Sequence, residues 1–245
     1  MKVEVIYLER TGSTNTYAQQ LLKDSLASEG SVILAAEQTE GRGQGSNAWH
    51  SGPGLNLTFS LVLEPRFLQP HQQFALNKSI ACAVLQTLRK DLPATVKSCI
   101  KWPNDIYASG KKIAGILIEH SIMGSIVKHS VIGIGINLNQ TRFPKWVPNP
   151  VSLKQLTSKD YDIRDMLQKT CSNIEYQYGR LKRGEFEAID NDYTASLCGL
   201  GKILEFTAGG KVFSGSTKGV DDLGRLCVLT ADGELRKFSH GEIGW

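Results

Sequence analysis

The strongest constraint on how this chain can fold is a set of continuous apolar runs, each strand-sized and rich in β-branched residues. They are Ser31 to Glu37 (SVILAAE), Leu55 to Leu63 (LNLTFSLVL), Ile113 to Ile118 and Ser130 to Leu138 (SVIGIGINL). Each is too continuous for a strand with one wet face, and all fall well short of the roughly 20 apolar residues that span a bilayer. They predict buried strands. A helical period takes over elsewhere: Phe74, Ala75, Ile80, Ala81, Val84, Leu85 and Leu88 line one face of a helix over Gln72 to Leu92. A second helix is expected from Asp162 to Gly179, continuing through Leu181.

The remaining segments fall between these. Val3, Val5 and Tyr7 alternate as in a strand. Ser13-Thr14-Asn15 supplies helix N-cap chemistry, and Ala18, Leu21, Leu22 and Leu26 carry that helix to about Ser28, where Gly30 stops it. Val96 to Trp102 reads as a strand running into a Pro-Asn-Asp turn. Ile106-Tyr107, Ser109-Gly110 and Lys112 to Glu119 read as a hairpin. Phe143 to Pro150 holds three of the eight prolines and must be a loop. From Ser196 onward, glycines punctuate short strands at close intervals, which predicts a small β-barrel and a boundary near Ala195. Two domains are expected, 1–195 and 196–245, in keeping with 245 residues and roughly 150 residues per domain.

Charge and cysteine usage narrow the class. Lys+Arg 28 against Asp+Glu 24 leaves a net charge of +4, too mild to demand nucleic acid, and the basic residues are scattered. MKVEVIYLER lacks the apolar stretch of a signal peptide, so a soluble cytoplasmic protein is expected, with neither DNA nor membrane as a partner. Cys82, Cys99, Cys171, Cys198 and Cys227 are odd in number, widely spaced and without a CxxC pair. That pattern predicts reduced thiols and speaks against both a disulfide scaffold and a zinc site. HExxH, GxSxG and a supported Cys–His pairing are all missing, and the five histidines stand apart as surface or core residues. With no nucleophile on offer, an enzyme of this kind works by positioning and charge stabilisation.

Three segments could do so. Gly41-Arg42-Gly43-Gln44-Gly45-Ser46-Asn47-Ala48-Trp49 joins two apolar strands; glycines admit close approach of backbone N–H groups, and a basic residue among them makes an anion cradle. It matches neither the mononucleotide nor the dinucleotide glycine motif, and a flexible surface loop explains the glycines as well. In Lys101-Trp102-Pro103-Asn104-Asp105, followed by Lys111-Lys112-Ile113-Ala114-Gly115, Asp105 and Lys112 face each other across a hairpin neck. A surface ion pair worth ~0–1 kcal/mol is the plain alternative. Against it, Lys112 leads straight into an apolar strand, where an unpaired ammonium is costly to bury. The third segment, Gly133-Ile134-Gly135-Ile136-Asn137, puts glycines inside a buried strand, which marks either a ligand's close approach or tight strand packing.

In order along the chain, Ser13-Thr14-Asn15, Gln38-Thr39, Gly41-Arg42-Gly43 with Trp49 and Ser51, Lys101 to Asp105, Lys112 to Glu119, and Gly133 to Asn137 resemble the motifs of the biotin protein ligase family. Gly219-Val220-Asp221 and Gly241-Glu242-Ile243 are similar to its terminal barrel, so the likeness covers essentially the whole chain. The resemblance implies an α+β fold: a mixed β-sheet with flanking helices, related to class II aminoacyl-tRNA synthetases, plus a C-terminal SH3-like β-barrel. It implies that biotin is activated with ATP to biotinyl-5′-AMP and passed to a lysine of a biotin carboxyl carrier protein. Mg²⁺ would accompany ATP, with ligands the sequence leaves unknown; a homodimer is one assembly the family allows.

Residue by residue, the resemblance assigns the chemistry to Arg42, Asp105 and Lys112. Biotin would meet Ser13, Thr14, Gln38, Gly41, Arg42, Lys112, Gly115, Gly133 and Gly135, the glycines leaving room for the ring system. ATP would meet Lys101, Trp102, Asn104, Lys112 and Asn137, with Phe143 or Trp146 over the adenine. Two departures stand out. Many relatives carry arginine where this chain has Gln44, and often Gly-Arg where it has Ser46-Asn47, so retention of the adenylate is expected to differ. Bifunctional members place a winged helix before the Ser-Thr-Asn motif, whereas twelve residues precede Ser13 here. That and the weak charge disfavour a biotin-dependent repressor. A lipoate or octanoyl transferase of the same fold differs in the glycine loop and lacks Lys-Trp-Pro-Asn-Asp. A non-catalytic binding module would not need Arg42, Asp105 and Lys112 together.

Overall fold

The structure is a computed structural model and describes residues 2–245. Its centre is a seven-stranded sheet with strand order β1-β2-β3-β7-β6-β5-β4. The strands are β1 (Glu4–Thr11), β2 (Ser31–Gln38), β3 (Leu57–Leu63), β4 (Ser98–Lys101), β5 (Asp105–Ala108), β6 (Lys111–Met123) and β7 (Ile126–Ile136). Only β1 and β2 run parallel, joined by the crossover helix α1 (Thr14–Lys23); every other neighbouring pair is antiparallel. All seven residues of β3 are buried, as the continuous apolar run predicts for a central strand covered on both faces.

The side-chain alternation of β3 divides the sheet into two faces. Leu57, Phe59, Leu61 and Leu63 enter the main core with Leu76, Ile80, Val84 and Leu88 of α2 (Gln73–Asp91) and Met166 and Ile174 of α4 (Ile163–Lys182). Val62 points the other way and joins Ala18 of α1, Ile33 and Val131 in a smaller cluster. Beyond α1 that second face is left open, and there the site forms. Lys78 on α2 is 5% exposed; its ammonium meets the Asp190 carboxylate of α5 (Phe186–Ala195) and donates to the Val220 carbonyl at 3.3 Å, tying α2 to the C-terminal part.

Several expectations need correction. Helix α1 ends at Lys23 rather than near Ser28: Ser25 adopts φ 57° and Leu26 is 69% exposed, so the apolar spacing overran the backbone's own stop. Helices α3 (Leu153–Thr157) and α5 were not foreseen; α5 buries only Ile189 and Tyr193, too thin a stripe to show in the pattern. The C-terminal sheet, β8 (Ile203–Ala208), β9 (Lys211–Val220), β10 (Leu226–Thr230), β11 (Leu235–Phe238) and β12 (Ile243–Gly244), has the order β11-β10-β9-β8-β12. It is an open antiparallel sheet with β11 and β12 at its edges, not a closed barrel; its apolar side carries Phe206, Phe213 and Phe238 in a stacked series.

The cysteines depart most from expectation. Cys99 and Cys198 form a disulfide, while Cys82, Cys171 and Cys227 stay free. Topology is the cause. Ile100 N donates to Ser196 O and Cys198 N to Ile100 O, both at 2.8 Å, which lays the segment after α5 alongside β4 and brings the two Cα atoms to 5.1 Å. That separation suits a disulfide, and a sequence separation of 99 hid it from any local pattern. Burial pushes the Cys82 and Cys171 thiols up to about 12, making them poor nucleophiles.

Candidate active site

The open sheet face carries a cleft of about 440 Å³, bounded by the glycine loop, the β5–β6 hairpin, the proline loop and the C-terminal segment. Its floor is glycine. Gly115 pairs with Gly135, and Leu117 with Gly133, across β6 and β7. The room these glycines leave is taken by side chains of the protein itself: a Cβ on Gly135 would lie 2.2 Å from the Trp49 ring, and one on Gly133 would lie 2.4 Å from Asn15 Oδ1. Trp49 therefore forms a wall of the slot, with its indole N–H buried and without a hydrogen-bond partner among the described residues. Sequence reasoning quoted Trp49 and Asn15 in their motifs but gave neither a role.

One end of the slot is a polar cradle. Thr14 N donates to Gln38 Oε1 at 2.8 Å, and the Thr14, Ser60 and Asn15 side chains are linked at 2.7 and 2.5 Å. Each hydroxyl has one proton. With Ser60 donating to Asn15 Oδ1, Thr14 donates to Ser60, and Gln38 Oε1 keeps acceptor capacity for a ligand N–H. Ser60 is fully buried and was missed, because a single serine inside LTFSLVL carries no motif. Ser13 and Gly41 lie beside the cradle; Gly41 is obligatory there, since a Cβ would meet the Trp49 carbonyl at 2.4 Å.

The cations stand at the slot's mouth. Lys112 Nζ meets Asp105 Oδ1 at 2.7 Å across the hairpin neck, as its position ahead of an apolar strand predicts, and sits 5.7 Å from the centre of the Trp49 ring. Arg42 Nη2 meets Glu119 Oε2 at 2.7 Å. Gln44 lines the same cleft, and its side-chain oxygen is buried without a partner among the described residues.

The expected nucleotide residues divide into two groups. Trp102 and Asn104 are buried supports: Trp102 Nε1 donates to Gly224 O at 2.9 Å, and Asn104 Nδ2 donates to the Ile116 carbonyl. Lys101 reaches Trp245 O at 3.1 Å and stands over Tyr107. Asn137 donates to Val151 O at 3.0 Å, but its Oδ1 is buried and has no partner among the described residues. Phe143 and Trp146 both line the cleft; Trp146 is 61% exposed and meets His50 edge-on at 5.4 Å. The C-terminal segment supplies a further wall from His240, Ile243 and Trp245, with Trp245 stacked against Trp102 at 6.3 Å. That wall had no signal in the sequence beyond the glycine spacing. Among the described residues no three His, Cys, Asp or Glu side chains gather to hold a metal.

Fold and cleft together define a mixed-sheet domain that presents one open face, with a polar cradle and two cations, to a small ligand. Residues 7–137 match the model of the biotin/lipoate A/B protein ligase family, and residues 199–243 match the biotin protein ligase C-terminal domain. The chain belongs to the biotin/lipoate A/B protein ligase family and, by the second match, to its biotin protein ligases. It is 32% identical to the bifunctional ligase/repressor BirA of Bacillus subtilis over 99% of this chain and 74% of that protein. It is 31% identical to the biotin–[acetyl-CoA-carboxylase] ligase of Paracoccus denitrificans over 90% of this chain and 92% of that one. The biotin protein ligase of Aquifex aeolicus in complex with biotin and ATP superposes with a TM-score of 0.81 at 27% identity, covering 98% of this chain and 97% of that chain.

Proposed function

We infer that this ligase joins biotin to ATP and then passes the biotinyl group to a lysine of a biotin carboxyl carrier protein. In the first step a biotin carboxylate oxygen attacks the α-phosphorus. The new carboxyl–phosphate bond replaces the α–β bridge, and pyrophosphate leaves. In the second, the acceptor lysine's amine attacks the acyl carbon and AMP departs. The observation that carries this reading is Lys112, held by Asp105 at the mouth of a slot whose far end is the Thr14–Gln38 cradle. A neutral ureido head suits that cradle, and the chain of a bicyclic acid laid along the Trp49 wall brings its carboxylate to Lys112.

Two anions meet in the first step, so fixed positive charge lowers its barrier. Lys112 and Arg42 supply it. Asp105 fixes the ammonium and leaves a carboxylate where the acceptor lysine arrives. Asn137 Oδ1 suits the exocyclic amine of adenine, because burial leaves it an acceptor without a donor. Mg²⁺ bound mainly through the phosphates would neutralise developing charge. The test is pyrophosphate release from biotin, ATP and Mg²⁺, repeated with lipoate. Release with biotin alone is expected; release with lipoate alone overturns the substrate, and release with neither overturns the adenylation.

A further inference from the structure

A polar chain runs from Arg42 of the glycine loop to the cradle, and its centre is Glu119, to which neither step above gives a part. Strand alternation places Gly115, Leu117 and Glu119 on the slot face, Glu119 opposite Val131 where the glycine floor ends. Its Oε2 accepts from Asn15 Nδ2 at 2.8 Å and from Arg42 Nη2 at 2.7 Å. Asn15 is 3% exposed, wedged over Gly133 and held by Ser60, so the carboxylate is fixed from the buried side. Arg42 is the opposite case: its side chain is 43% exposed, on a loop rich in glycine, and Glu119 is its ion-pair partner. A guanidinium has five N–H donors in a rigid fork, and one on Glu119 leaves the others for oxygen atoms elsewhere.

We propose that Glu119 is a positioning residue that aims the Arg42 guanidinium into the slot, toward the anionic junction of carboxylate and α-phosphate. An exposed ion pair between two mobile side chains orders little. This one differs because Asn15, itself held by Ser60, holds the carboxylate, linking the cradle for the neutral head to the cation for the phosphate through Arg42–Glu119–Asn15–Ser60–Thr14. The inference rests on the reaction assigned above, with Arg42 acting on the phosphate.

The experiment is a double-mutant cycle on the full chain with Glu119→Gln and Arg42→Ala. It reads pyrophosphate release at saturating biotin, together with separate affinities for biotin and for ATP. Glutamine keeps an acceptor for Asn15 but loses the charge that holds Arg42. Glu119→Gln is expected to slow release about tenfold, as small misplacements of a charge-stabilising group do. Biotin affinity should stay at the wild-type value, and the loss should vanish in the Arg42→Ala background. An equal loss in both backgrounds would mean that Glu119 acts through the cradle, and would overturn the proposal. So would wild-type or faster release in Glu119→Gln. Should the wild-type protein itself release no pyrophosphate, the assigned reaction fails, and the ATP affinities still decide: equal values in wild type and Glu119→Gln overturn the role of Glu119.

Discussion

In the proposed reaction Lys112 stands where a carboxylate and a phosphate converge, and its side chain is held by the partly exposed pair with Asp105, with the Trp49 ring 5.7 Å away. Lys112→Ala should therefore leave folding nearly intact, since such pairs contribute ~0–1 kcal/mol. It should slow pyrophosphate release by roughly 10²–10³-fold, the loss typical of removing one fixed charge-stabilising donor. Normal turnover in that variant would remove Lys112 from the chemistry. A second residue contributes to acid stability. His120, next to Glu119 and hydrogen-bonded through Nδ1 to Ser130 Oγ at 2.8 Å, has its pKa lowered from 6.5 to about 4 by burial. The unfolded chain then takes up a proton before the folded one does. Stability from this group is full above about pH 6.5 and is lost as pH falls toward 4, with a slope up to ~1.4 kcal/mol per pH unit. His129 is shifted the same way by burial, against the opposing pull of Glu64. Urea unfolding of wild type and His120→Gln between pH 7.5 and 4.5, an interval chosen to bracket ~6.5, should show a shallower decline in the variant. Identical slopes would place the titration elsewhere.

Two loops bound the cleft, and each makes a prediction at the scale of an element. The glycine loop, residues 38–54, is pinned at its base by Trp49 N on Gly41 O at 2.8 Å and by Gly54 N on Ala36 O at 2.9 Å. Between those pins Gly45, Ser46 and Asn47 have few packing partners, so amide exchange there should be fast in the free protein and slow with biotin plus ATP. Equal protection in both states would rule out ordering on binding. The proline loop offers Trp146, exposed and edge-on to His50, as a cover for adenine. Base–aromatic stacking is worth ~1–3 kcal/mol, so Trp146→Ala should raise the KM for ATP roughly 5- to 150-fold while biotin binding alone is unchanged. Phe143 is half-buried and should matter less. An unchanged KM in both alanine variants would leave the adenine to another group.

At the scale of the whole molecule, the C-terminal sheet belongs to the cleft. Trp245 packs on Trp102 and on Phe206, 5.6 Å away, and Lys101 reaches its main-chain oxygen. Trp245→Ala should lower stability by about 1–2 kcal/mol through these ring contacts. For a chain of this size that corresponds to a Tm lower by very roughly 2–8 °C, and it should also weaken ATP binding. A thermal scan and a nucleotide titration read both, and an unchanged ATP affinity would detach the sheet from the site. The chain's own order of residues determined the apolar strands, the two long helices, the Asp105–Lys112 neck and the motif residues, because each depends on spacing within one segment. Only tertiary structure decided that Ser60 and Glu119 back the cradle, that Trp245 lines the cleft, that Cys99 finds Cys198, and that the glycines of β6 and β7 make room for Trp49 and Asn15. Those contacts join segments tens of residues apart, where no local period or propensity records which side chain will arrive.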